Sequence, residues 1–163
     1  MIVVSDTTPL NYIVLIGAVA VLPKLFDDVY APDAVVRELA DARTPEPVRA
    51  WALRPPEWLT VLSPSSRLPS TSQLDAGEPD AISLAKEIKA PAVLLDEKLG
   101  RSVALSEGLV VIRTLALLEL AAERELIELR PTLERLQATT FRVDRQLIDT
   151  ALARDALRKR GGG

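Results

Sequence analysis

Two acidic side chains stand where an α/β protein gathers its functional groups. Asp6 directly follows a short β-branched run at residues 2–5, and Asp96 directly follows an apolar run at residues 92–95. In an open parallel sheet, ligands bind at the carboxyl ends of the strands, so two acids at matching strand ends indicate a site. Asp96 has an ordinary alternative, because aspartate is also a good N-cap for a helix starting at Glu97.

Three further acids lie on predicted helices. Glu38 stands beside the apolar stripe of its helix, at the edge of the buried face, where it can reach toward Asp6. Glu78 and Asp80 fall in the first turn of an amphipathic helix that begins after Gly77. Each has an alternative interpretation. Glu38 could be an ordinary residue at the boundary of the buried face, and the other two could stabilise the helix by placing negative charge near the positive N-terminal end of its dipole.

The composition narrows the chemistry that these acids could perform. The chain has no histidine and no cysteine, which excludes nucleophile–histidine relays, histidine- or thiolate-bound zinc and a disulfide framework. Carboxylates brought together repel each other unless a cation lies between them. Oxygen-only ligands suit Mg²⁺ or Mn²⁺, which can activate water for attack on a phosphate.

The elements that must position these acids alternate along a chain of one-domain length, 163 residues. Continuous apolar runs predict buried parallel strands near 2–5, 29–31, 58–62, 92–95 and 109–112. Between them we expect helices near 9–16, 18–26, 34–41, 48–53, 77–89, 97–106 and 115–123, with a long mobile loop at 63–76. The first helix is expected to have Thr8 as its N-cap and Pro9 as its first residue. Residues 124–163 predict two more helices, near 132–137 and 144–159.

The N-terminal residues, the apolar runs and the net charge give weaker indications of where the protein lies in the cell and what it binds. There is no leader-like N-terminus and no apolar run of the ~20 residues needed to cross a bilayer, so we expect a cytoplasmic protein without a membrane partner. The net charge is −3, although residues 124–163 carry an excess of basic side chains. Charge alone therefore neither predicts nor excludes binding to nucleic acid.

Four acidic segments occur in an order that resembles the motifs of PIN domains. They are Val4 to Leu10 with Asp6, Pro32 to Leu39 with Glu38, Leu74 to Ile82 with Asp80, and Leu94 to Glu97 with Asp96. Gly100-Arg101 and Arg113-Thr114-Leu115 extend the resemblance, which covers roughly residues 1–123. The chain is most similar to VapC-type ribonuclease toxins, in particular to a PIN-like subgroup with a helical C-terminal extension.

This resemblance implies a fold, an activity and partners. The expected fold is a three-layer α/β/α sandwich with a parallel sheet of strand order 3-2-1-4-5, made by a nuclease domain at 1–123 and followed by a helical extension at 124–163 on or beside it. The expected activity is hydrolysis of RNA phosphodiester bonds with Mg²⁺ or Mn²⁺. A small antitoxin protein and a homodimer are the expected partners.

The resemblance also assigns roles to individual residues. It implies that Asp6, Glu38, Asp80 and Asp96 are catalytic and that Asp6, Asp80 and Asp96 hold the metal. Polar and acidic neighbours in auxiliary roles are Thr7, Glu78, Glu97 and Thr114. Arg113 departs from the glycine expected in this subgroup, and it is a candidate for phosphate binding together with Lys98 and Arg101; for those two, a solvated helix face is the alternative.

Rival functions remain at this point. The chain could be a catalytically weak binding module that acts through dimerisation and through antitoxin or RNA binding. A haloacid-dehalogenase-type phosphatase is excluded because position 8, two residues after Asp6, is threonine. A phospho-acceptor receiver domain is excluded because Asp6 stands without a second acid beside it.

Overall fold

The computed structural model describes residues 1–162, in which strands and helices alternate along most of the chain. The strands are β1 (Ile2–Ser5), β2 (Asp28–Ala31), β3 (Leu59–Val61), β4 (Ala92–Leu94) and β5 (Val110–Ile112). The helices are α1 (Thr7–Leu15), α2 (Leu22–Leu25), α3 (Asp33–Leu39), α4 (Glu46–Leu53), α5 (Glu78–Glu87), α6 (Lys98–Ser106), α7 (Thr114–Glu123), α8 (Leu129–Gln137) and α9 (Arg145–Gly161). Short 3₁₀ turns occur at Val19–Val21 and Pro69–Thr71.

The five strands form one parallel sheet in the order β3-β2-β1-β4-β5. The predicted fold class and strand order are therefore confirmed. The chain runs from β1 outward to β2 and β3, then returns to build β4 and β5 on the other side. The strand order thus reverses between β1 and β4, and Asp6 and Asp96 follow these two strands.

Alternating side chains of the strands feed two cores, one on each face of the sheet. Val3 belongs to the larger core, which also contains apolar side chains of α1, α3, α4 and α7. Val4 belongs to the smaller core, built mainly by α5 and α6. Because both faces are covered, the strands carry continuous apolar runs rather than an alternating pattern.

The C-terminal extension shares the larger core. Leu133 on α8 and Ala151 on α9 are buried in the same cluster as the strand residues. Arg135 donates from Nε to the carbonyl oxygen of Ile16 at the end of α1 (3.1 Å). Arg154 on α9 makes a bidentate pair with Glu119 on α7 (2.8 and 2.9 Å). The extension is therefore packed on residues 1–123 and is not a detached arm.

Two local predictions need correction. Helix α1 begins at Thr7, so Asp6 and not Thr8 occupies the N-cap position, and the Asp6 side chain makes no capping hydrogen bond. The predicted loop at 63–76 is long but anchored: the Leu68 amide donates to Ser83 Oγ on α5 (2.9 Å), and Ser70 Oγ donates to Glu107 (2.7 Å). It therefore forms a fixed wall beside the start of α5.

Across residues 1–162, no single helix is long and apolar enough to cross a membrane; one bent pair, Thr7–Leu15 with Val19–Leu25, meets the length and composition criteria only jointly.

Candidate functional site

Asp6 lies at the centre of the reversal point in the sheet. Its backbone amide donates to the Leu94 carbonyl (3.0 Å), which continues the pairing of β1 with β4 past the end of the strand. Its side chain is buried, with 3% of the residue exposed. Asp6 Oδ1 is a buried side-chain oxygen that accepts no hydrogen bond from any described residue. Since such an oxygen costs free energy when it is left unpaired, its persistence points to a ligand.

Other acids surround the same space, which we call the acid pocket. It is an open cavity of about 210 Å³ whose acidic lining consists of Asp6, Glu38, Asp75, Glu78 and Glu97. Within residues 1–162, none of these carboxylates makes an ion pair within 4.0 Å, although nine such pairs occur elsewhere in that range. Negative charge is therefore concentrated here without compensation from the protein.

Glu38 reaches the acid pocket from α3, where a hydrogen bond from Thr7 holds its carboxylate. Thr7 Oγ1 donates to Glu38 Oε2 (2.8 Å). Thr7 is the residue directly after Asp6, so this bond ties the start of α1 to α3. The auxiliary position predicted for Thr7 has a physical basis in this contact.

Glu78 reaches the acid pocket from the first residue of α5, where it is 9% exposed. Two glycines make room for it and its neighbours. A Cβ on Gly100 would stand 3.3 Å from the carboxyl carbon of Glu78, and a Cβ on Gly77 would stand 2.6 Å from a Val35 methyl and 3.3 Å from Asp6 Oδ1. Backbone can approach the carboxylates this closely only where no side chain intervenes.

Asp96 is oriented by α7 and does not cap α6. Glu97 is the N-cap residue of α6, so the capping role for Asp96 is wrong. Instead the Thr114 amide donates to Asp96 Oδ1 (2.9 Å) and Thr114 Oγ1 donates to Asp96 Oδ2 (2.5 Å). Thr114 is fully buried, so both oxygens of Asp96 are held in one orientation next to Asp6.

Asp80 does not join this group, although it was predicted to be a catalytic metal ligand. Its Oδ1 accepts from Arg67 Nε at 2.7 Å, and it is absent from the lining of the acid pocket. Two helical positions differ by about 200° around the axis, so Glu78 and Asp80 face different directions. Glu78, predicted as auxiliary, is the acid of α5 that lines the acid pocket.

The surroundings raise the pKa of the three most enclosed acids. Burial raises the pKa of Asp6 to about 7, and the nearby charges of Glu78, Glu38 and Asp96 add to the effect, while the Thr7 backbone N–H opposes it. Burial also raises the pKa of Glu78, with Glu97, Asp75 and Glu38 contributing.

Burial likewise raises the pKa of Asp96, and it outweighs the Thr114 hydrogen bonds and the charges of Arg113 and Arg101. A set of neighbouring acids with raised pKa values in a cleft is typical of a functional site.

The acids suit a hydrated cation better than a closed cage. In the described part of the chain, no three acidic side chains are already arranged to hold a metal ion together. Mg²⁺ keeps several of its waters and is commonly bound by one or two carboxylates, completed by substrate phosphates. An unpaired buried oxygen on Asp6, surrounded by oxygen donors with raised pKa, fits an ion of that kind.

The predicted phosphate-binding residues divide into three situations. Lys98 lies exposed at the start of α6 and does not line the acid pocket. Arg101 donates from Nε to the backbone oxygen of Asp96 (3.0 Å), which fixes the β4–α6 connection. Arg113 is exposed at the start of α7, close enough to Asp96 for its charge to lower that pKa.

Sequence reasoning missed Asp75, which lines the acid pocket and contributes to the raised pKa of Glu78. Its signal was its place two residues before Gly77, in the acidic segment already compared with PIN motifs.

The comparisons with known proteins agree with this geometry. A family model described as a PIN domain matches residues 2–156, which includes most of the C-terminal extension. No curated protein matches the chain.

Proposed function

The chain belongs to the PIN-domain family, and from this premise we propose that it is a divalent-metal-dependent endoribonuclease that hydrolyses RNA in the acid pocket. PIN domains are generally nucleases and typically use divalent metals. The proposal for this chain commits to Mg²⁺ or Mn²⁺ as cofactor and to single-stranded RNA as substrate.

One observation carries the proposal. Asp6 Oδ1 is buried without a hydrogen-bond partner among the described residues, in a pocket whose other acids have no cationic partner either. A protein normally pairs its buried carboxylates, and leaving several unpaired at one sheet edge lowers its stability. A bound divalent cation removes this cost.

Asp6, Glu78 and Asp96 would hold the metal, directly or through water. A cation bound there would supply an activated water and stabilise the negative charge that develops on the phosphate. Asp6 must lose its proton to serve as a ligand, and its raised pKa makes this loss coincide with metal binding near neutral pH.

The remaining residues position the others. Thr114 holds both oxygens of Asp96, as polar partners of metal ligands commonly do. Thr7 holds Glu38, which faces the same cavity and can orient a water molecule as a hydrogen-bond acceptor. Gly77 and Gly100 keep the space open.

The proposal is tested by RNA cleavage with and without Mn²⁺, on the parent protein and on Asp96→Asn. We expect cleavage by the parent only with the metal, and none by the variant, whose circular dichroism spectrum should stay that of the parent. A parent that cleaves equally in EDTA, or a variant that cleaves equally well, contradicts the proposal. A folded parent that binds RNA but never cleaves it supports a binding module instead.

We further propose that the chain is a cytoplasmic homodimer and the toxin of a toxin–antitoxin pair. The support is the resemblance of its four acidic segments to the motifs of VapC-type toxins. Expression of the parent should arrest growth of the host cell, while Asp6→Asn should not, and co-expression of a short neighbouring open reading frame should restore growth. Growth that is unaffected by the parent would contradict the toxin role without touching the ribonuclease activity.

A further inference from the structure

A second depression adjoins the acid pocket, and we call it the arginine groove. It is an open cavity of about 330 Å³ whose lining includes side chains from α1, from the start of α6, from the start of α7 and from residues 140–142 of the extension. These side chains are Tyr12, Glu97, Arg113, Thr140, Phe141 and Arg142. Among the described residues of the extension, 124–162, none lines the acid pocket.

The arginine groove is continuous with the acid pocket. Thr8 and Glu97 line both depressions, whereas Asp96 lines the arginine groove and not the acid pocket. A nucleic acid whose scissile phosphate lies among the carboxylates therefore has an adjoining channel for the neighbouring part of its chain. The groove is acidic where it meets the pocket and basic toward Arg113 and Arg142.

Arg113 and Arg142 are cations that the protein has left available. Both are exposed, and within residues 1–162 neither makes an ion pair within 4.0 Å. Some arginines of the extension do make such pairs, among them Arg145 with Asp149 (3.8 Å) and Arg154 with Glu119 (2.8 Å). The unpaired arginines of the groove therefore have charge to offer to an anion.

Contacts of Tyr12 with Phe141 and Thr140, which we call the aromatic clip, hold the segment that carries Arg142. Tyr12 and Phe141 stack edge to face, with ring centroids 4.9 Å apart. The Tyr12 hydroxyl is 2.8 Å from Thr140 Oγ1, which makes a hydrogen bond between α1 and the extension. Both rings are only partly buried, so the clip also presents aromatic surface to the groove.

We propose that the arginine groove binds the single-stranded RNA next to the bond that is cleaved. Arg113 and Arg142 contact phosphates, and the partly exposed Tyr12–Phe141 pair stacks an unpaired base. Arginines beside aromatic rings are the usual means of binding single-stranded nucleic acid, and a stacked base must be unpaired. The proposal rests on the ribonuclease function and gives the C-terminal extension a part in substrate binding.

The test measures RNA binding and not cleavage. In the Asp6→Asn background, which leaves RNA intact, the affinity for a short fluorescein-labelled single-stranded RNA is measured by fluorescence anisotropy across a salt titration without divalent metal. Arg142→Ala should weaken binding about fivefold and lower the magnitude of the log–log salt slope by about 0.7, the share of one phosphate contact on a single strand.

Two matched variants separate the groove from general charge. Arg145→Ala removes an exposed, paired arginine of the same extension and should leave affinity and salt slope at the values of the parent background. Arg142→Lys keeps the charge and should retain the slope of the unmodified arginine. Loss of binding in Arg142→Ala with recovery in Arg142→Lys supports the proposal.

Other outcomes overturn it. If Arg142→Ala binds RNA with unchanged affinity and slope, or if Arg145→Ala loses as much, the groove is not an RNA site. If Arg142→Ala leaves RNA binding unchanged but alters self-association in sedimentation velocity, the groove binds protein. The ribonuclease function itself is decided separately, by the metal-dependent cleavage of the unmodified protein.

Discussion

Two regions of the molecule surround a buried acid with opposite environments. Glu78 in the acid pocket and Asp155 on α9 are each 9% exposed. Asp155 accepts from Arg158 Nη2 (2.6 Å) and lies 3.4 Å from Lys159 Nζ. Burial raises its pKa, but these two cations outweigh burial and the pKa is lowered overall. Within residues 1–162 Glu78 has no such cation, and its pKa is raised.

The role of a buried carboxylate is indicated by whether the protein supplies a cationic partner, and not by burial alone. A buried carboxylate with its own cations stabilises a helix packing, as Asp155 does for α9 and its neighbours. Buried carboxylates without cations, at a point where the sheet order reverses, indicate that the counter-charge comes from outside the protein. The same chain thus contains a structural acid and a group of functional acids.

The largest expected effect is a difference in RNA cleavage between variants of Glu78 and of Asp80. Glu78→Gln removes a charge from the acid pocket and should lower Mn²⁺-dependent RNA cleavage about 1000-fold, on the scale of the several kcal/mol that metal-ion catalysis supplies. Asp80→Asn removes a carboxylate paired with Arg67 and should leave cleavage within a few-fold of the parent. Cleavage rates under single-turnover conditions decide it; the reverse result would restore Asp80 as the catalytic acid.

An intermediate effect concerns stability without metal. Because the folded pKa of Asp6 is about 7 against an ordinary value of 3.8, the folded protein holds a proton that the unfolded chain releases between these values. Its contribution is fully present below the lower pKa and is lost as pH rises through the higher one. Asp6→Asn should therefore stabilise the metal-free protein more near pH 8 than near pH 5, by a difference of roughly 2.5 kcal/mol.

Urea unfolding in EDTA at the two pH values measures this difference. A destabilisation by Asp6→Asn that is equal at both pH values would mean that Asp6 is charged and satisfied in the metal-free protein.

The smallest expected effect concerns Asp155, the buried acid that is paired with cations. Asp155→Asn should destabilise the protein by about 1 kcal/mol at neutral pH. The effect is small because Arg158 and Lys159 are partly exposed and remain hydrated when their ion pair with Asp155 is lost. Its lowered pKa contributes stability above the unfolded value, and that contribution is lost as pH falls through the folded value. Thermal unfolding should show the difference near pH 7 and not near pH 3, with RNA cleavage at the parent rate. A loss of cleavage would link α9 directly to the acid pocket.

Much of the fold could be predicted from the sequence because the strands are buried on both faces. Continuous apolar runs such as that at 92–95 and the alternation with helices lead directly to a covered parallel sheet, and the motif order implied the arrangement 3-2-1-4-5, which is confirmed. Boundaries were less accurate where caps decide them: α1 begins at Thr7, one residue before the expected cap.

The site was predictable in its position but not in its complete membership. Asp6 and Asp96 follow directly from strand ends, which fix where a side chain points. On α5 the choice between Glu78 and Asp80 depends on helix rotation and on Arg67, which comes from a loop 13 residues earlier in the sequence. The groove at Arg142 depends on a contact between Tyr12 and Thr140 across 128 positions, and no local pattern reveals it.

The central claim is that the unpaired acids around Asp6 take their counter-charge from a divalent cation. Titration of Mn²⁺ into the metal-free protein, followed by isothermal calorimetry near pH 7.5, tests it most directly, with Asp6→Asn and Asp155→Asn as the two comparison variants. We expect saturable uptake of Mn²⁺ by the parent and by Asp155→Asn, and its loss in Asp6→Asn. No saturable uptake by the parent, or equal uptake by all three proteins, would contradict it.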